Sequence, residues 1–264
     1  MFLNYENYHF LNKQLLSFLL LLLFFLSCYE KEQTQTVDST KFDNDSLSSW
    51  IRKSKNPKIT ENLKNSLVSK AYQLAQDTKN DTLKARYFSN LSINLPFLAD
   101  SSLYRTINQE AITSNYKIND SLAVGNAYWD LASFFESNIV KDSAFYYYAE
   151  AQKIFEDIGS HSYSGQMYYS MATLQMQIKD YVGCETTTTK AIEILKPLND
   201  NYQLFKCYNL LGIALGGVGE FDKSLAYYNE ALYYLEKLPQ ASTFRGSLTN
   251  NIGINYKNNK QYSK

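Results

Sequence analysis

The chain has 264 residues, with Lys and Arg together 26 and Asp and Glu together 26, so its formal net charge is +0. No basic field exists to hold a phosphate backbone, which argues against nucleic acid as a partner. His9 and His161 are the two histidines, Cys28, Cys184 and Cys207 the three cysteines, and no CxxC spacing occurs. No histidine-based triad and no metal cluster can be assembled from that inventory, so neither an enzyme nor a cofactor is expected.

Residues 15–26, LLSFLLLLLFFL, are an apolar run of twelve. A bilayer-spanning helix needs about 20 such residues, whereas this length suits the apolar region of a secretory signal. Lys13 supplies the positive flank, and the run ends at Ser27 and Cys28. This resembles the bacterial lipobox, in which a cysteine is lipidated after cleavage, although Phe25 stands where Leu is preferred and Leu26 comes after it. The resemblance implies a signal peptide over 1–27, lipidation at Cys28, and an exported protein held in the cell envelope by an N-terminal lipid anchor. A plain cleaved signal and an uncleaved anchor are the alternatives. Residues 28–46 are polar and unpatterned, as a tether would be.

From residue 47 to 264 a period governs the chain: Ala71, Ala111, Ala151, Ala191 and Ala231 are spaced 40 apart. A second column, Ser92, Ala132, Ala172, Gly212 and Gly253, steps by 40, 40, 40 and 41, each residue preceded by a large apolar one. A fixed period of this size marks a solenoid, each repeat stacking only on its neighbours. Two small positions per repeat predict two helices that cross closely, because an interaxial distance near 8 Å leaves no room for a long side chain. The apolar spacing agrees, as in Tyr128, Leu131 and Phe135 on a first helix and Tyr148, Ala151 and Phe155 on a second.

Asp81, Asp120, Ser162, Asp200 and Ser242 are expected to cap the first helices, and Asp100, Asp142, Asp180 and Asp222 the second ones. Gly216, Gly217 and Gly219 read as the turn between two helices, since they lack the Lys-Ser/Thr ending of a phosphate loop. The run Thr186 to Thr189 is β-branched inside a predicted helix, so packing must hold it or the helix is soft. Cys184 sits in a small-residue slot, which favours a free buried thiol over a bridge to Cys207.

These columns resemble the tetratricopeptide repeat. The family's Trp slot reads Phe88, Tyr128, Tyr168, Tyr208 and Thr249; its second-helix small slot reads Tyr104, Ala144, Cys184 and Ser224; its Phe slot reads Asn108, Tyr148, Thr188 and Tyr228. The first repeat, with Tyr104 and Asn108, departs most from the pattern. The resemblance implies an all-α, right-handed superhelical solenoid of antiparallel helix pairs, with longer arms than the common repeat.

It also implies a non-catalytic scaffold that binds a protein or peptide segment along a groove lined by first helices. By register the groove residues are Asn90, Asn126, Trp129, Asp130, Glu136, Gln166, Tyr169, Thr173, Lys206 and Asn209, with Trp129 and Tyr169 as aromatic anchors. One subfamily grips a terminal carboxylate with Lys and Asn one turn apart; the matching slots here read Ser89 and Ile93, Trp129 and Ser133, Tyr169 and Thr173, Asn209 and Ile213, so that clamp is not expected. The next small slot would fall one residue past Lys264, which reads as an array incomplete at its C-terminus. The sensory repeat region of a sensor histidine kinase or transcriptional regulator fits this reading, and a stand-alone envelope lipoprotein acting as an assembly scaffold is the alternative.

Overall fold

The computed structural model describes residues 46–96 and 101–260. The expected signal peptide, Cys28, the expected tether up to Asp45, and Asp100 lie outside the described residues. The chain divides into compact units 1–49 and 50–264, and the repeat array belongs to the second. A short helix, α1 (Ser46–Ser54), spans that boundary.

The array is helical throughout the described residues. Its second-type helices are α2 (Glu61–Asp77), α4 (Ser101–Lys117), α6 (Lys141–Asp157), α8 (Tyr181–Leu195) and α10 (Phe221–Leu235). The first-type helices are α3 (Asp81–Asn94), α5 (Ser121–Ser137), α7 (His161–Gln177), α9 (Asn201–Gly217) and α11 (Ala241–Asn258). Both series start 40 residues apart, so the period seen in the sequence is the period of the fold. The architecture is the expected all-α solenoid of antiparallel helix pairs.

The helices end where the chain turns left-handed, at Asn119, Ile139, Gly159, Lys179, Asn199 and Gly219, with φ between 53° and 85°. At five of these turns the next amide reaches back to close the helix: Asp120 N donates to Asn115 O, Val140 N to Phe135 O, Ser160 N to Phe155 O, Asp180 N to Gln175 O and Glu220 N to Leu215 O. This is the Schellman closure, which satisfies carbonyls that the helix itself cannot. Glycine is favoured there, yet Ile139 and Lys179 occupy two of the positions.

Asp120, Asp180 and Asp200 cap their helices, their carboxylates accepting from Ala123 N, Gly183 N and Gln203 N. The other expected caps are corrected. Asn80 caps α3, and Asp81, Asp142 and Asp222 lie inside first turns, where a carboxylate still favours the helix dipole. Ser162 and Ser242 are helical, and the cap positions ahead of them belong to Ser160 and Gln240. Gly216 and Gly217 end α9 rather than forming the turn, and Gly217 packs against the Tyr181 ring, from which a Cβ would lie only 2.6 Å away. Gly219 alone of the three is the turn residue.

All five column alanines are fully buried, as are Ser92, Ala132 and Ala172. A Cβ on Gly212 would lie 2.5 Å from Tyr228, which confirms the close crossing. Two further glycines do the same work: a Cβ on Gly125 would lie 2.7 Å from Phe155, and one on Gly165 would lie 2.6 Å from Leu195. The final column assignment is shifted, since helix starts keep their 40-residue step and Ile252 is in register with Gly212, while Gly253 has nothing within 4 Å. The threonine run is fully helical, with Thr186, Thr188 and Thr189 hydroxyls donating to carbonyls four residues back. Cys184 and Cys207 are both free and buried.

Candidate functional site

Each first helix packs on the second helix of the repeat before it, and α3, α5, α7 and α9 pack also on their own second helices. First helices of neighbouring repeats also touch, α3 with α5, α7 with α9 and α9 with α11, whereas second helices of neighbouring repeats do not approach as closely. A stack whose first helices lie nearer one another than its second helices is curved toward the first ones. The sequence-derived groove residues lie in that inner layer.

Asn90, Asn126, Trp129, Asp130, Glu136, Gln166, Tyr169, Thr173, Lys206 and Asn209 are all half-buried. None belongs to the sealed core, and each leaves part of its side chain to solvent. Contacts across the layer join them. The indole of Trp129 meets Phe155 and Tyr163 edge-on, with centroids 6.4 and 5.9 Å away. Trp129 therefore pads the seam between α5, α6 and α7 more than it projects. Tyr169 is similar: it packs on the buried clusters around Cys184, Cys207 and Leu210, and burial pushes its hydroxyl up to about 12.

Most of the polar members are hydrogen-bonded within the array. Asp130 accepts from Ser92 Oγ at 2.9 Å, and burial raises its carboxyl to about 6. Glu136 accepts from Tyr148 Oη at 2.6 Å, and Thr173 Oγ1 donates to the Tyr169 carbonyl at 2.9 Å. Gln166 Nε2 donates to Ser162 Oγ at 3.4 Å. Asn209 Oδ1 accepts from Asn251 Nδ2 of α11 at 3.0 Å. Lys206 lies over the ring of Tyr169 at 4.1 Å and that of Tyr202 at 5.4 Å, with its ammonium donating to Gln203 Oε1 at 3.2 Å.

Sequence reasoning missed two groups here. Ser92, Tyr104 and Asn108 form a buried network behind Asp130, in which Asn108 Nδ2 donates to Ser92 Oγ at 2.7 Å and Tyr104 Oη to the Ser92 carbonyl at 3.2 Å. The signal was present as two paired departures from the repeat pattern at Tyr104 and Asn108. Tyr202, Gln203 and Asn251 surround Lys206 and Asn209, and the one-turn spacing of Tyr202 and Lys206 would have found the first of them. Among the described residues no group of three or more His, Cys, Asp or Glu is placed to hold a metal ion. No described helix is long and apolar enough to cross a membrane.

No protein-family profile matches the chain, and no curated protein does either. Solved structures do. BtubC from P. vanneervenii superposes with a TM-score of 0.64 at 18% identity, covering 83% of this chain and 86% of that one. The apo form of RapI gives 0.66 at 10% identity, covering 83% and 82%. Aspartyl phosphate phosphatase F from Bacillus subtilis gives 0.61 at 14% identity, covering 83% and 66%. At these identities the likeness establishes the fold, a tetratricopeptide-like helical solenoid.

Proposed function

We propose that the array is a non-catalytic scaffold that takes a peptide or an extended protein segment along its first-helix face. The observation that carries this reading is that ten residues on four successive first helices are half-buried and mostly polar. Side-chain amides recur along that face at Asn90, Asn126, Gln166 and Asn209, and amides can both donate to and accept from a peptide backbone without regard to its sequence.

The protein is exported and anchored in the cell envelope through a lipid on Cys28, and the array serves as the ligand-sensing part of a signal-transduction protein. The apolar run ending in Ser27-Cys28 supports the anchor. The envelope-scaffold reading shares the anchor and the groove, and differs only in the consequence of binding: assembly of partners rather than relay of a signal.

Because Trp129 and Tyr169 fill seams, their removal would loosen the array as well as the groove. The cleaner test replaces Asn126 and Gln166 by Ala and measures capture of a randomised peptide mixture by the purified full chain. Capture should fall by roughly tenfold or more with an unchanged melting midpoint; undiminished capture would move binding to another face. Palmitate incorporation that is lost in Cys28→Ala supports the anchor, and equal labelling of the two chains rejects it.

A further inference from the structure

We propose that Tyr146, Tyr147 and Glu150 of α6 form a receptor for the ammonium of a lysine side chain from a partner polypeptide. The site lies on a second helix and goes beyond the groove reading above, on which it does not depend. The array holds an occupied example of the contact. In α10 the rings of Tyr233 and Tyr234 stand at 78° with centroids 5.1 Å apart, and the ammonium of Lys237, just past the helix end, lies 3.8 Å from the first centroid and 5.1 Å from the second. In α6 the rings of Tyr146 and Tyr147 stand at 75° with centroids 5.0 Å apart. Tyr146 and Tyr233 are equally open, at 56% and 55% exposure. Lys237 comes four and three residues after its two tyrosines, and at the same spacing from Tyr146 and Tyr147 stands Glu150.

One ring pair thus carries a cation of the chain's own, and the other has an acid in that cation's place. Among the described residues no Lys or Arg lies over the ring of Tyr146 or Tyr147, and none is within salt-bridge distance of Glu150. The tyrosines of the Trp slot repeat the contrast. Lys190 lies 5.0 Å from the ring centroid of Tyr168, and 40 residues earlier in both helices the matching pair is Glu150 and Tyr128. Burial pushes the Tyr128 hydroxyl up to about 12, and Tyr116 and Glu150 add to the rise by charge, so the carboxylate faces the aromatic cluster.

Tyr147 stacks on Phe135 at 5.4 Å and on Tyr128 at 6.2 Å, which fixes its ring, whereas Tyr146 is open to solvent. An ammonium over the Tyr146 face is drawn to the negative face of the ring. Residues one turn apart on a helix have Cβ atoms roughly 5–6 Å apart, so that cation is also within reach of the Glu150 carboxylate. Ring and acid both favour positive charge, and neither offers anything to an anion. A lysine is the occupant because the chain's own filled pair holds one, and its long apolar stem can lie along the aromatic surface while the charged head stays at the wet rim.

NMR titration of the purified full chain, its tyrosine rings labelled with carbon-13, tests this with the N-acetyl methylamides of lysine, norleucine and Nε-trimethyllysine. Norleucine keeps the alkyl stem without the charge. The lysine amide should move the ring signals of Tyr146, identified by their loss in Tyr146→Leu, at a concentration roughly fivefold or more below that needed of the norleucine amide. Glu150→Gln should narrow that preference, and Glu150→Lys, which supplies an internal cation as Lys237 does, should abolish it. Both variants should melt near the parent, since Glu150 is outside the sealed core. The Tyr233 signals, whose ring is already covered by Lys237, should stay in place. Lysine and norleucine amides acting alike, a lysine preference that survives Glu150→Lys, or an equal response at Tyr233 overturns the proposal. A response to the trimethyllysine amide with none to the lysine amide overturns the choice of lysine. The groove reading stands or falls separately, on Asn126 and Gln166.

Discussion

In the repeat formed by α3 and α4, the second helix brings Tyr104 and Asn108 to the crossing, opposite Ser92. Three repeats later, in α9 and α10, the same positions hold Ser224 and Tyr228, opposite Gly212. Large and small have changed places, and all of these residues are buried. One contact survives the exchange. Tyr104 Oη donates to the Ser92 carbonyl at 3.2 Å, and Ser224 Oγ donates to the Gly212 carbonyl at 2.6 Å. In both repeats a second-helix hydroxyl satisfies the same carbonyl of the first helix, and the aromatic ring fills the gap from whichever position carries it. The fold thus conserves the volume of the pair and the capped carbonyl, not the residue in each column.

The largest effects come from unbalancing that pair. Tyr104→Ser should cost about 3–5 kcal/mol, as removal of a large buried aromatic side chain does. Asn108→Tyr alone should also destabilise, by overpacking against Tyr104. Combined with Ser92→Gly, the two changes rebuild the arrangement of the α9 and α10 repeat, and denaturant melts should show a favourable coupling of about 1–3 kcal/mol among them. Strict additivity would show that the two repeats are not alternative solutions of one packing problem.

Gly212→Leu tests the other repeat from the opposite direction. Its Cβ alone would lie 2.5 Å from the Tyr228 ring, so the cost should be on the order of 2–3 kcal/mol. The same substitution at Gly253, where nothing lies within 4 Å, should be close to neutral. A thermal midpoint for Gly212→Leu equal to that of Gly253→Leu would contradict the register.

Behind the first repeat lies Asp130, with its carboxyl raised to about 6 from the ordinary 3.8, chiefly by burial. The folded chain then binds this proton more tightly than the unfolded one, so stability falls as pH rises from about 4 through 6. Each pH unit of difference corresponds to about 1.4 kcal/mol, and partial access of water reduces the whole to roughly 2 kcal/mol. Asp130→Asn keeps an acceptor for Ser92 Oγ and removes the ionisable group. The variant should therefore be more stable than the parent at pH 7 and should lack the decline between pH 4 and 6; urea melts at the two pH values measure it. Lys206, on a later first helix, also bears a charge that burial disfavours.

The repeat architecture was legible in the sequence because small residues at a crossing admit few replacements: Ala71 through Ala231 are all sealed by neighbouring helices. The half-buried placement of Asn90, Asn126, Gln166 and Asn209 on first helices follows from register, which fixes the face a helical residue shares. Helix caps were read less well. An Asp one residue inside a helix and an Asp at its cap look alike in sequence, and only Asp120, Asp180 and Asp200 accept from the third residue on. The Ser92, Tyr104 and Asn108 network was hidden because each residue looks like a failed match to its column, and the compensation is visible only when all three are set together. Which groove aromatics project could not be read either, because Trp129 rests on Phe155 and Tyr163, which come from the next two helices.

The smallest effect concerns the turns that join the paired helices. In the α9 and α10 repeat the left-handed position is Gly219, with φ of 85° and open space around it, so the turn carries no side-chain strain. In the α5 and α6 repeat the same position is Ile139, at φ of 63°, a conformation that a β-branched residue adopts only with strain. Ile139 is 78% exposed, so its side chain contributes little burial in return. The closure itself is already made, by Val140 N donating to Phe135 O at 2.9 Å, and depends on the backbone alone. Ile139→Gly should therefore stabilise the array by about 1 kcal/mol, the relief of strain exceeding the extra freedom that glycine gives the unfolded chain. Gly219→Ile should cost about the same amount in the other repeat. For an array of this size the shift in melting midpoint should be roughly 2–4 °C in each direction. If Ile139→Gly lowered the midpoint instead, the exposed isoleucine would be making a contact that its position on the surface does not predict.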